Sequence, residues 1–260
     1  LAQQLQSSFE FVIWRSLRNA PPIKTLLGEL IDFLANHSET DVPDTVGGRI
    51  SRLIAHLRAK RCLIVLDNTE TILSSGERAG QYREGYEEYG ELIRLIGESS
   101  HNSCLLLTSR EKPGEVASLE GDTLPVRSLP LIGLKQEALA IFQAKGLSAC
   151  EQDFQKLNKR YRGNPLALKI VSTSIKDLFD GNVAEFLAQE AIAFNGIYKL
   201  ISQQFERLSN LEKQLMYWLA INRDGVSISE LQDDIVPFVS KPKLLEALES
   251  LVWRCLIEKT

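Results

Sequence analysis

The residues best suited to chemistry follow an apolar run at residues 62–66 (CLIVL), where the chain continues Asp67, Asn68, Thr69 and Glu70. Continuous aliphatic runs are typical of strands buried on both faces of a parallel sheet, and ligands bind beyond the carboxyl ends of such strands. Mg²⁺ takes one or two carboxylates and keeps most of its water. Asp67 is therefore the candidate ligand of a hydrated Mg²⁺ that carries nucleotide phosphates.

The elements that must position Asp67 alternate between strands and helices. Strand-like runs lie at residues 9–14, 62–67, 104–107 and 123–129. Helical spacing of apolar residues separates the first three runs, at residues 23–34, 50–57 and 92–96. Strands separated by helices of this length indicate right-handed βαβ units and a parallel sheet. The run at residues 104–107 also ends on polar side chains, Thr108, Ser109 and Arg110.

One expected companion of such a site is missing from the sequence. The phosphate-binding motif G-x-x-x-x-G-K-[ST], whose backbone and lysine grip the β- and γ-phosphates, occurs nowhere in the 260 residues. The chain also begins with leucine, and residues 1–5 (LAQQL) have the character of a helix already under way. We therefore expect the sequence to be a fragment of a longer protein.

Composition excludes several classes of function. With 44% hydrophobic residues and a net charge of −4, the chain suits a folded globular protein without a global attraction to nucleic acid or anionic membranes. No apolar stretch reaches the ~18 residues that a membrane span needs. Four scattered cysteines without a C-x-x-C pair argue for reduced thiols in the cytoplasm and against zinc.

The sequence becomes almost wholly helical after Pro130. Pro165 follows Gly163 and Asn164 and is expected in the first turn of a helix. Capping boxes with the spacing S-x-x-E open two short helices, at residues 209–212 and 227–230. The last helix leads into residues 255–258 (CLIE), which predict the start of a wing strand.

These motifs, in this order, resemble the NB-ARC module of the STAND class (AP-ATPases), signalling NTPases found in plant immune receptors, apoptosome proteins and many bacterial regulators. The matching segments are FEFVIWRSL (9–17), the Walker B strand CLIVLDNTE (62–70), the sensor strand CLLLTSRE (104–111), residues 134–142, GNPLAL (163–168) and residues 205–260. The resemblance implies an α/β P-loop NTPase-like parallel sheet, incomplete at its N-terminus, in residues 1–129. An all-α helical subdomain in residues 130–200 and a winged-helix subdomain in residues 201–260 follow.

The resemblance also implies roles for single residues. Asp67 would hold Mg²⁺, and Arg110 would contact the γ-phosphate, since a planar guanidinium can reach two of its oxygens. Thr108 would support the same edge of the sheet, and both Asn68 and Thr108 would belong to the nucleotide-binding residues. Pro165 and Leu166 would pack against the adenine and the ribose.

The sequence departs from the family pattern where catalysis is concerned. Asn68 stands beside the Mg²⁺ aspartate, at a position that often holds a second acid, and an amide cannot accept a proton from water. Glu70 is the nearest alternative base, or an exposed loop carboxylate. We therefore expect slow ATP hydrolysis in the full-length protein. We expect this fragment alone to be inactive and to bind nucleotide weakly, because the family's phosphate-loop strand lies beside the sensor strand and its loss opens the ligand site.

The function that this resemblance implies is an adenine-nucleotide switch, in which ADP favours a closed form and ATP an open, self-associating homo-oligomer. Effector and repeat-sensor domains, such as a WD-repeat propeller or a tetratricopeptide array, would lie in the same chain. One alternative is a winged-helix DNA-binding regulator, although Glu246 and Glu249 in the candidate recognition helix disfavour contact with nucleic acid. The other alternative is an interaction scaffold that binds no nucleotide.

Overall fold

The computed structural model describes residue 4 and residues 6–38, 41–189, 195–222 and 225–258. The chain forms two compact units, of which the first contains residues 1–128 and 207–260 and the second contains residues 129–206. The predicted opening helix at residues 1–5 lies outside the described residues, residue 4 excepted. The predicted division into three subdomains stays a prediction.

The first unit contains a sheet of three strands and the second is helical in its described residues. The strands are β1 (Phe11–Ser16), β2 (Cys62–Asp67) and β3 (Cys104–Leu107). The α-helices are α1 (Ile23–Leu34), α2 (Val46–Ala59), α3 (Glu88–Glu98), α4 (Gly114–Leu119), α5 (Ala138–Ala144), α6 (Glu151–Arg160), α7 (Pro165–Leu178), α8 (Val183–Ala188), α9 (Asn195–Glu206), α10 (Asn210–Asn222), α11 (Ile228–Asp234) and α12 (Lys241–Trp253). Helices α5 to α9 belong to the second unit. Short 3₁₀ turns occupy Gln6–Ser8 and Thr69–Ile72.

The sheet has the strand order β1-β2-β3, and both strand pairs are parallel. In the register, Ile13 of β1 lies opposite Ile64 of β2, which lies opposite Leu105 of β3. The central strand is buried from Cys62 to Leu66, and the burial decreases only at Asp67. The predicted βαβ units and the buried strand before Asp67 are thus confirmed.

One face of the sheet packs against helices α1, α2 and α3. Because alternate residues of a strand point to the same face, Ile13, Ile64 and Leu105 share this side. The apolar spacing predicted for α1 corresponds to its buried residues, which are Ile23, Leu26, Leu27, Leu30, Ile31 and Leu34. Helix α2 starts where the Thr45 hydroxyl accepts the Gly48 N–H at 3.2 Å.

One strand prediction in residues 1–129 was wrong, and another strand has shifted bounds. Residues 123–129 form no strand, and the only pairing is an isolated bridge between Val126 and Glu120. A strand needs a neighbouring ladder, and this segment finds a partner in the described structure only at that bridge. The first strand forms but begins two residues later than predicted, at Phe11, and it is not buried throughout, since Trp14, on the face opposite to Ile13, is half-exposed.

In the second unit, helix α7 begins as the sequence predicts. The Asn164 side chain accepts the N–H groups of Leu166 and Ala167, both at 3.0 Å, and Pro165 occupies the first turn. The unit has its own apolar core, to which Phe142, Leu168 and Phe186 belong.

Helices α10 to α12 are part of the first unit. Both predicted capping boxes form, with the Ser209 N–H donating to Glu212 at 2.7 Å and the Ser227 N–H donating to Glu230 at 2.8 Å. Residues 255–258 follow α12 without forming a strand, so the predicted wing strand is wrong for these residues. No described helix has the length and apolarity to cross a membrane.

Candidate functional site

The polar residues predicted to do chemistry meet at the carboxyl edge of the sheet. Asp67 ends β2, and Thr108 directly follows β3. The Thr108 N–H donates to the Leu66 carbonyl at 3.0 Å, which extends the parallel ladder by one step and brings Thr108 beside Asp67. The expectation that the two strands present their polar ends together is therefore met.

Thr108 fixes the conformation of this edge. Its hydroxyl donates to Asp67 Oδ1 and accepts the Asn68 N–H at 3.2 Å, while its carbonyl accepts the Thr69 N–H at 2.9 Å. One side chain thus orients the candidate metal ligand and holds the chain that follows it. The Asp67 carboxylate is partly accessible, as a ligand to a hydrated cation must be.

Asn68 contributes to the site through its backbone. Its φ of 63° and ψ of 46° are left-handed, a conformation that asparagine adopts more readily than most residues. The reversal starts the 3₁₀ turn Thr69–Ile72 and buries both Thr69 and Glu70. The predicted contact between Asn68 and nucleotide stays a prediction.

Glu70 and Arg110, the other two predicted catalytic residues, form an ion pair. Arg110 Nε lies 3.6 Å from Glu70 Oε1, which is too long for a hydrogen bond. The Glu70 side chain is 10% exposed and the Arg110 side chain 49% exposed. Glu70 Oε2 is buried and has no hydrogen-bond partner within the part of the chain that the structure describes. The arginine is thus held loosely, and the interpretation of Glu70 as an exposed loop carboxylate was wrong.

A cluster of four charged residues, three of them buried, joins the segment after β3 to the C-terminal helices. We call Glu111, Arg207, Glu212 and Arg254 the ionic cluster. Glu111 pairs with Arg207 through Oε1 and with Arg254 through Oε2, and Arg254 Nε lies 3.2 Å from Glu212 Oε1. Burial raises the pKa of Glu111, while the charges of Arg207 and Arg254 act to lower it. All four residues belong to the first unit.

Sequence reasoning missed the ionic cluster, although a signal was present. Arg254 continues the buried stripe of α12 at the spacing of Ala247 and Leu251, and Glu212 lies between the buried Leu208 and Leu215. Charged residues at core positions of an amphipathic helix are seldom buried unless they are paired. The spacing therefore points to buried ion pairs, but it does not reveal the partners.

The glycine-dotted loop before α3 packs tightly against the same region. The Ala79 N–H donates to Ser250 Oγ at 2.7 Å, and the Gly114 N–H donates to the Gly80 carbonyl at 3.1 Å. Gly80 has a φ of +86°, and a Cβ there would lie 2.9 Å from the Lys112 carbonyl oxygen. Only glycine fits this close approach of two backbone segments.

Pro165 and Leu166 lie in the second unit, where both are exposed at the start of α7. They are predicted to contact the adenine and the ribose, and this role stays a prediction. The structure thus brings Asp67, Thr108, Glu70 and Arg110 to one edge, while Pro165 and Leu166 belong to the other unit.

Comparison with solved structures shows a likeness of fold. The chain matches the structure of a Walker-type ATPase of Pyrococcus abyssi with a TM-score of 0.55 and 13% sequence identity, over 94% of this chain and 78% of that one. The chain is therefore similar in fold to a Walker-type ATPase. A match to the Orc1 protein of Aeropyrum pernix in complex with DNA has a TM-score of 0.33, which is too low to support an argument.

At the level of sequence, the chain matches an uncharacterized WD repeat-containing protein of Nostoc sp. The two are 53% identical over 262 residues, which cover 98% of this chain and 21% of the relative. The chain thus spans about a fifth of the length of the curated relative it matches. No family model matches the chain, so membership of the NB-ARC family stays a prediction.

Proposed function

We propose that this chain is the adenine-nucleotide-binding part of a signalling ATPase of the NB-ARC type, in which nucleotide state controls closed and self-associating forms. One observation carries the proposal: Asp67, oriented by Thr108, ends the buried central strand of an ATPase-like fold, with Arg110 at the same edge. The WD-repeat name of the Nostoc relative supports a repeat-sensor domain in the full-length protein.

The residues at this edge fit a hydrated Mg²⁺. The side chains of Asp67 and Thr108 offer a carboxylate and a hydroxyl, the oxygen donors that Mg²⁺ prefers. Among the described residues, no group of three or more His, Cys, Asp or Glu side chains could hold a metal ion. When bound, Mg²⁺ would neutralise charge on the phosphate oxygens.

Arg110 can respond to nucleotide because its present partner holds it weakly. A γ-phosphate carries more negative charge than one carboxylate and offers several acceptors in reach of the guanidinium fork. In the proposed ATP state, Arg110 leaves Glu70 for the γ-phosphate. Glu70 is then free to orient water, and hydrolysis is slow because the residue beside Asp67 is an amide.

The unpaired edge of β3 is consistent with a further, phosphate-binding strand that pairs there in the full-length protein. Among the described strands, β3 pairs only with β2, and its residues are half-buried or exposed, whereas β2 is buried. An unpaired edge presents N–H and C=O groups to which another strand can bind. We assign this edge to the phosphate-loop strand of the full-length protein, as the NB-ARC resemblance implies.

The experiment that tests this function measures the nucleotide that co-purifies with the full-length protein. Anion-exchange chromatography of the denatured protein should find near-stoichiometric ADP, and the ADP should fall in Asp67→Asn, which keeps the acceptor for Thr108 but removes the charge. Glu249→Gln, a change on the exposed face of α12, is the control. Absence of adenine nucleotide from folded wild-type protein would leave the interaction scaffold as the better account.

A further inference from the structure

Arg207 occupies the point where the two loops that follow β2 and β3 come together. Its Nη2 lies within hydrogen-bond distance of the carbonyl oxygens of Glu70 (3.0 Å), Leu73 (3.2 Å) and Ser74 (3.3 Å), and it also contacts the Glu111 carboxylate. In return, the Gly76 N–H donates to the Arg207 carbonyl at 2.8 Å. A residue far along the chain thus joins the turn after Asp67 to the segment after Arg110.

Three contacts of Arg207 Nη2 are with backbone carbonyls and the fourth is with the Glu111 carboxylate, so none is with the side chains of Glu70 or Arg110. The Glu70 carbonyl belongs to the residue whose carboxylate faces Arg110, and Glu111 is the next residue after Arg110. The Glu111 side chain is only 2% exposed and is held from its other oxygen by Arg254. The backbone positions of Glu70 and Arg110 are therefore fixed relative to each other, while the Arg110 guanidinium stays half-exposed.

The chemistry of this junction calls for a cation that donates N–H groups. The carbonyl groups near the end of the 3₁₀ turn need donors from outside the turn, and all four acceptors converge on Arg207 Nη2, whose two N–H groups they share. A lysine at position 207 would keep the charge and three N–H donors on one nitrogen, but without the planar shape of the guanidinium. We therefore expect lysine to replace this arginine in part.

We propose that Arg207 is a positioning residue for recognition of the γ-phosphate. By joining the Glu70 carbonyl to the Glu111 carboxylate, it sets the place from which Arg110 reaches the phosphate. The inference rests on the proposed function, because it takes the ligand of Arg110 to be the γ-phosphate of ATP. Arg207 itself touches neither nucleotide nor Mg²⁺.

The test compares two ligands on the full-length protein. After co-purified nucleotide has been removed, isothermal titration calorimetry with Mg²⁺ measures the dissociation constants of ADP and of a non-hydrolysable ATP analogue for wild type, Arg207→Gln and Arg207→Lys. Loss of one well-placed charged contact corresponds to roughly a tenfold change in dissociation constant. We expect the preference for the ATP analogue over ADP to fall about tenfold in Arg207→Gln, less in Arg207→Lys, with ADP affinity nearly unchanged.

A double variant separates positioning from general support of the fold. If Arg207 acts through Arg110, Arg207→Gln should not change the ratio of the two constants further once Arg110→Ala is present. The matched control is Glu249→Gln, which breaks the exposed Arg78–Glu249 pair between the loop before α3 and helix α12. If the Arg207 variants fail to fold, Glu111→Gln keeps an acceptor for Arg207 and should reduce the same ratio.

The outcomes distinguish the inference from the proposed function. Wild-type protein that binds neither ligand contradicts the proposed function itself. Wild-type binding of both ligands, with an unchanged ratio in the Arg207 variants or in Glu111→Gln, overturns the role of Arg207 alone. An equal loss of affinity for both ligands also overturns it, because that result indicates support of the fold rather than positioning of Arg110.

Discussion

Replacement of Arg254 by methionine is the most direct test of the ionic cluster. Methionine is unbranched and apolar, so Arg254→Met removes the charge while it fills much of the space of the side chain. Arg254 is 4% exposed in its side chain, and its partners Glu111 and Glu212 are 2% and 1% exposed. The variant therefore leaves two carboxylates in the interior without their shared cation.

The expected loss of unfolding free energy depends on the hydrogen-bond donors that each carboxylate retains. Removal of one partner from a buried ion pair costs about 3–5 kcal/mol. Glu111 retains Arg207, and Glu212 retains the Ser209 N–H at 2.7 Å and the Ser250 hydroxyl at 2.6 Å. Because neither carboxylate loses all of its donors, we expect the lower end of that range, about 3 kcal/mol of unfolding free energy.

Urea unfolding followed by tryptophan fluorescence measures this loss of unfolding free energy in the first structural unit. The three tryptophans, Trp14, Trp218 and Trp253, all belong to the first unit. Glu249→Gln is the matched control, because its pair with Arg78 is 49% and 42% exposed and such surface pairs contribute about 0–1 kcal/mol. If Arg254→Met lost no more than this control, the cluster would not contribute to stability as its burial implies.

Three further predictions concern other parts of the chain. Gly80→Ala should lose about 2 kcal/mol more than Gly76→Ala, because both glycines have a positive φ but only Gly80 meets backbone, and equal urea midpoints would contradict this. Hydrogen bonds from Ser227 lower the pKa of Glu230 below its ordinary 4.5, so its contribution to stability is present above that pH and is lost as the pH falls through the lowered pKa. The difference in melting temperature between wild type and Glu230→Gln should therefore shrink below pH 4.5. Residues 1–260 alone should bind ADP with a dissociation constant weaker than about 1 µM, and a tighter value by calorimetry would contradict the need for a further phosphate-binding strand.

The sequence predicted those elements whose pattern is local. The continuous aliphatic run before Asp67 is typical of a strand that is buried on both faces of a parallel sheet. The apolar residues that begin at Ile23 have helical spacing, so they fall on one buried face only in a helix. The capping boxes and the Asn164 cap form because their donors and acceptors lie within three residues of each other. The juxtaposition of Asp67 and Thr108 was also predictable, since adjacent parallel strands end at a common edge.

Interactions between distant segments could not be predicted in the same way. Glu111 and Arg254 are far apart in sequence, and no local pattern pairs a residue after β3 with the end of α12. Residues 123–129 illustrate the opposite error, because their apolar residues suit a strand but the described structure offers only one bridging residue. Propensity describes what a segment can do, and the available partner determines what it does.

The arrangement of rigid and loose groups indicates what the site is suited to do. Asp67 is held by Thr108, and Arg207 joins the Glu70 carbonyl to the Glu111 carboxylate beside Arg110. Within this frame, the Arg110 guanidinium makes a long contact with Glu70 and remains half-exposed. A ligand can shift an equilibrium only where it binds one state better than another. Under the proposed function, a cation that can pair either with an internal carboxylate or with a phosphate would provide such a difference. The same frame would be poorly equipped for rapid hydrolysis, because the side chain beside Asp67 is an amide and Glu70 is paired with Arg110. Under the proposed function, the site is therefore better suited to detecting the γ-phosphate than to removing it.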